Sequence, residues 1–83
     1  MIERTITVNA CMEARPSALF VQAASKFKST IYVTIDNKTV NGKSIMGIIS
    51  IGIREGQQVV LTADGEDAQV AIDELDKFLS SFN

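Results

Sequence analysis

The chain has 83 residues, a formal net charge of −2, one cysteine and no histidine. That length predicts one domain spanning 1–83, burying roughly 60–65% of the surface the unfolded chain would expose. Lacking histidine, the chain has no Ser-His-Asp triad, no Cys-His pair and no histidine metal site; Cys11 alone forms no cysteine zinc site, and no Gly-rich phosphate loop is present, so self-sufficient enzyme activity is not expected, nor is a metal or cofactor.

Apolar residues make up 46% and charged residues 22%, a globular composition. No apolar run approaches the roughly 20 residues of a membrane span, and no basic segment leads into an apolar stretch at the start. The expectation is a soluble, cytoplasmic protein. Its eight basic residues are scattered, which argues against direct nucleic-acid binding.

In chain order, Thr5 to Asn9 alternates and, with Ile2 upstream, reads as a half-buried first strand. Pro16 sets the start of a helix near itself, because proline is tolerated in a first turn and disfavours helical geometry at Arg15. Phe20, Ala23, Ala24 and Phe27 form its buried stripe, and Lys26 and Lys28 suit its negative end. Ile31, Val33 and Ile35 mark a second strand. Asp36-Asn37-Lys38 supplies a turn, and Thr39 to Asn41 returns as the other half of a hairpin that Gly42 ends.

Ser44 to Ile51 is a short, almost wholly apolar segment, and Ser44 is a natural N-cap for it as a helix. After a turn at Glu55-Gly56, Val59 to Ala63 reads as a fourth strand. Asp64-Gly65 breaks the chain. Glu66 and Asp67 suit the positive end of a last helix, whose core stripe is Ala68, Ala71, Ile72, Leu75, Phe78, Leu79 and Phe82. The order β-α-β-β-α-β-α predicts an α+β domain with an antiparallel or mixed sheet and helices on one face.

Three constellations bear on chemistry. Glu13-Ala14-Arg15-Pro16 at a helix start reads either as an anion site, with Arg15 as a bidentate donor, or as a helix-stabilising acid paired with Arg15 on the surface. Ser44, with Lys43 beside it, reads either as a plain N-cap or as a modification site where a phosphate would meet a favourable helix end. The short helix also carries more apolar residues than one face can bury. Ile48 and Ile51 are assigned to the core, and Ile45, Met46 and Ile49 point outward, as a partner surface or beneath covering loops.

Together these motifs resemble the HPr family, the small phosphocarriers of the sugar phosphotransferase system and their regulatory relatives. The resemblance rests on Ala14-Arg15-Pro16, Ala18-Leu19-Phe20-Val21-Gln22, Ala24-Ser25-Lys26-Phe27, Val40-Asn41-Gly42-Lys43-Ser44-Ile45-Met46-Gly47 and Gly65-Glu66-Asp67. It implies an open-faced βαββαβα sandwich with a four-stranded antiparallel sheet. It also implies two phosphorylation positions. The phosphocarrier histidine precedes Ala-Arg-Pro, and here that position is Glu13, so the carrier role is expected to be lost. The regulatory serine, modified by HPr kinase/phosphorylase, is retained as Ser44.

A chain that keeps the serine and lacks the histidine is similar to the Crh type within the family, which acts in catabolite repression. The resemblance therefore implies a corepressor of a LacI-type catabolite control protein; the outward Ile45, Met46 and Ile49, with Arg15 and Lys43 bordering them, are the partner-binding residues expected. Two other roles stay open: phosphotransfer through an unconventional acceptor, Glu13 or Ser44, and an interaction module that is never phosphorylated. Glu13 as a mimic of phosphohistidine is a further reading. The loop from Asn9 to Met12 is shorter than usual for the family, with Cys11 at the place of a customary glycine, and it leaves room for a homodimer by exchange of the first strand.

Overall fold

The structure is a computed structural model that describes residues 1–9 and 14–81. The readings of Cys11, Glu13 and Phe82, and of the Arg15 side chain, lie outside the described residues.

The elements run β1 (Ile2–Thr7), α1 (Ala14–Ser25), β2 (Thr30–Ile35), β3 (Lys38–Asn41), α2 (Ile45–Ile51), β4 (Gln58–Asp64) and α3 (Ala68–Ser81). The four strands form one sheet in the order β1-β4-β2-β3, and every neighbouring pair is antiparallel. The arrangement is the open-faced sandwich expected.

Alternation along the strands decides which face meets the helices. Ile6 on β1, Ile31, Val33 and Ile35 on β2, and Val59, Leu61 and Ala63 on β4 are buried, and the cross-strand register keeps them on one face. The other face carries Glu3, Thr5, Thr7, Tyr32, Thr34 and Thr62, with the Thr34 and Thr39 hydroxyls 2.9 Å apart. A sheet with one wet face reads as alternation, because successive side chains point to opposite sides.

The α3 stripe closes the core with Ala68, Ala71, Ile72, Leu75 and Leu79 buried and Phe78 half-buried against them. Phe20 of α1 meets Phe78 edge-on, ring centroids 5.7 Å apart. The core also takes in Ile53, beyond α2, which periodicity does not flag because it stands alone between turns.

Several boundaries differ from those expected. β1 begins at Ile2 and ends at Thr7, although Val8 continues the pairing through its N–H to the Gln57 carbonyl at 2.8 Å. α1 begins at Ala14, ahead of Pro16, so Arg15 is helical. The pre-proline preference is a bias, and the proline still falls in the first turn where its missing N–H costs no bond. α1 ends at Ser25, which puts Lys26, Phe27 and Lys28 in the following turn rather than in the last helical one. Lys38 opens β3 opposite Ile35, leaving Asp36 and Asn37 as the hairpin turn, with Asp36 at φ 54°.

Candidate functional site

The candidate site is the start of α2 and the loops around it. Asn41 shapes the approach: its side-chain oxygen accepts the Lys43 N–H at 2.8 Å, and its carbonyl accepts the Ser44 N–H at 3.1 Å. Gly42 between them lies against β2. Its N–H reaches the Ile31 carbonyl at 2.7 Å, and a Cβ there would meet the Ile31 Cγ2 at 2.7 Å, so a side chain would displace the loop.

Ser44 is the N-cap of α2. Its backbone is extended and its hydroxyl oxygen accepts the Gly47 N–H at 3.1 Å. At the other end Gly52 adopts the left-handed conformation, φ 68°, and its N–H returns to the Ile49 carbonyl at 3.3 Å. Both caps matter because a helix of seven residues has few internal bonds of its own.

Ile48 is the one fully buried residue of α2, while Ile45 and Ile51 are half-buried. Met46 is 73% exposed and Ile49 44% exposed. On α1, which packs against α2, Leu19 is 41% exposed. The outward placement expected for Met46 and Ile49 therefore matches their exposure, and Ile45 sits between face and core. Leu19 is an exposed apolar residue that sequence reasoning did not single out. Its signal was its place one residue before Phe20, off the buried stripe.

Lys43 does not point into solvent. Its ammonium donates to the Phe27 carbonyl at 2.7 Å, tying the α2 approach to the turn after α1. That turn is held from its other side by Asp67. The Asp67 carboxylate accepts the Lys28 N–H at 2.8 Å, the Ser29 N–H at 3.0 Å and the Ser29 hydroxyl in a short bond. The Ser29 hydroxyl, followed by the Lys28 N–H, holds the Asp67 carboxyl below the usual carboxylate range. Asp67 was expected to favour its own helix start; its carboxylate mainly serves the α1–β2 turn instead, while its carbonyl accepts the Ala71 N–H at 2.9 Å. Gly65 permits this closeness, since a Cβ on it would fall 2.6 Å from the Ser29 hydroxyl oxygen.

At the far side, Arg4 lies on the inward register of β1 between Ile2 and Ile6, where a charge needs partners. Its guanidinium reaches Asp73 at 2.9 Å and Asp76 at 3.0 Å on α3, and these two carboxylates raise its pKa further. This pairing secures the edge strand. Among the described residues, no group of acidic or cysteine side chains has the arrangement of a metal site, and no helix is long and apolar enough to cross a membrane.

This geometry can be set against known proteins. The model of the PTS HPr component phosphorylation site matches residues 2–81. The chain is 48% identical over 64 residues to the HPr-like protein Crh of Bacillus subtilis, covering 77% of this chain and 75% of that one. It is 42% identical over 81 residues to the HPr-like protein Crh of Halalkalibacterium halodurans, covering 95% and 96%. Among solved structures, it resembles HPr-C-His from Thermoanaerobacter tengcongensis at 51% identity with a TM-score of 0.89, covering 95% and 91% of the two chains. It also resembles the crystal structure of the Bacillus subtilis catabolite repression protein Crh, described as a swapped, intertwined dimer, at 41% identity with a TM-score of 0.77 and coverage of 94% and 92%. With the family model matching residues 2–81 and the fold shared with these solved relatives, the chain belongs to the HPr family and is similar within it to the HPr-like protein Crh.

Proposed function

We propose that this protein is a regulatory member of the HPr family, switched by phosphate on Ser44 and without phosphocarrier activity. HPr kinase/phosphorylase transfers the γ-phosphoryl group of ATP to the Ser44 hydroxyl oxygen. The new O–P bond replaces the bond to ADP, which leaves with its electron pair, and the hydroxyl proton passes to a base of the kinase. The phosphorylated form then acts as corepressor of a LacI-type catabolite control protein. Similarity to the Crh proteins, one of them described by its role in catabolite repression, supports this reading.

The observation that carries the proposal is the exposure of Met46 and Ile49 on the helix that Ser44 caps. Apolar side chains in water give nothing to folding, and beside a modifiable hydroxyl they offer a regulator both contact area and a new anion. Ile45 borders this surface, Lys43 precedes the serine, and Arg15 completes the set proposed to meet the partner. Glu13 replaces the carrier histidine. A carboxylate there is ionised near neutrality and repels an incoming phosphoryl group, so this protein passes no phosphate to histidine carriers. The chain serves as a kinase substrate and binding partner and performs no catalysis itself. The swapped Crh dimer supports a homodimer for this protein as well.

Binding to the catabolite control protein tests the reading. Phosphorylated protein should bind at least tenfold more tightly than unmodified protein, and Met46→Ser should weaken binding of the phosphorylated form. Equal affinity of the two forms would reject the corepressor role.

A further inference from the structure

One run of hydrogen bonds links the residue before Ser44 to the residue before α3. The Lys43 ammonium donates to the Phe27 carbonyl, and the next two N–H groups, of Lys28 and Ser29, donate to the Asp67 carboxylate. The Lys43 backbone is fixed by Asn41, so any rearrangement at this point belongs to its side chain. The ammonium holds no carboxylate among the described residues. Lys26 in the same turn differs, being paired with Glu74 at 3.3 Å. Lys43 thus spends a full charge on a neutral acceptor.

We infer that Lys43 changes partner when Ser44 carries phosphate: its ammonium leaves the Phe27 carbonyl for the phosphate, which places a cation in the binding surface and loosens the turn at 26–29. The inference rests on the reading of Ser44 as the modified residue. A phosphate brings a charge of about −1.5 to −2 and three acceptor oxygens. Hydrogen bonds between ionised groups are roughly twice as strong as those to neutral ones. The lysine stem is flexible and its ammonium can be re-aimed without moving the backbone. The Phe27 carbonyl lies in a turn flanked by exposed Lys26 and Lys28, where water takes the place of the ammonium. Before modification Lys43 is withheld from the surface; afterwards it stands beside the phosphate and the Met46–Ile49 patch.

Amide spectra of the full chain test this, with phosphoserine incorporated at position 44 during synthesis so that kinase recognition does not enter. In the natural sequence, phosphoserine should shift the Lys28 and Ser29 amides and raise their hydrogen exchange severalfold. In Lys43→Met the same amides should be displaced already and should not respond to phosphoserine. Lys43→Gln, which keeps a polar donor without charge, should also be unresponsive and serves if the methionine variant folds poorly. Lys28 and Ser29 amides that stay still on phosphorylation, or that move equally in the Lys43 variants, would overturn the inference while leaving Ser44 as the kinase target. Failure of the kinase to modify Ser44, measured separately by intact mass, would instead remove the reading on which it rests.

Discussion

α3 and α2 are held in place by different means. α3 runs for 14 residues and buries Ala68, Ala71, Ile72, Leu75 and Leu79 against the sheet, with Val70 the one large apolar side chain exposed among Gln69, Asp73, Glu74 and Lys77 on its outer face. α2 has seven residues, buries Ile48 alone, and leaves Met46 and Ile49 in water. α3 is therefore maintained by packing. α2 depends on its ends: the Ser44 cap, the left-handed Gly52 and the Lys43 bond to Phe27. The lesson is that the apolar side chains of a helix built this way are not all structural, and the exposed ones are available for recognition.

The largest way to break the comparison is in α3. Leu75→Ala should cost about 2–5 kcal/mol, as is usual for truncating a buried leucine, and lower the denaturation midpoint of the whole domain. Ser44→Ala should cost about 1 kcal/mol through the lost cap and should show mainly as faster hydrogen exchange in α2. A Ser44→Ala chain as stable as the parent throughout α2 would contradict the role given to the cap.

An acid titration sharpens the account of the loops. The folded pKa of Asp67 is depressed, so its contribution is fully present above the unfolded value of about 3.9 and is lost as pH falls through the folded value. Thermal midpoints measured from neutral pH down into that range should fall less steeply for Asp67→Asn than for the parent. Identical slopes would mean that the Ser29 and Lys28 bonds do not persist in solution. The smallest effect on folding is expected at Met46→Ser, within about 0.5 kcal/mol, because the residue is already exposed. The same substitution should weaken binding of the proposed regulator, and that separation of stability from binding would mark the α2 surface as functional.

Much of the fold was legible in the sequence. Ile31, Val33 and Ile35 declare a strand by alternation, and the α3 stripe declares a helix by its spacing, since both signals are local. Ser44 as a cap was legible for the same reason. The roles of Lys43 and Asp67 were not, because each acts on a turn distant in sequence, Phe27 for one and Lys28–Ser29 for the other. Arg4 did carry a signal: a charge in register with Ile2 and Ile6 faces the helices and requires acidic partners there, which Asp73 and Asp76 provide. The reading of Glu13 as standing in place of the carrier histidine rests on family resemblance alone, because a single glutamate before a helix has many ordinary meanings.

The central claim is that Ser44 is the switch, and intact mass tests it most directly. The protein and its Ser44→Ala variant would be incubated with HPr kinase/phosphorylase and ATP, with an ordinary HPr as a control for kinase activity. The account predicts one added phosphate on the protein and none on the variant. No phosphate on either chain from an active kinase, or one phosphate on both, would contradict it.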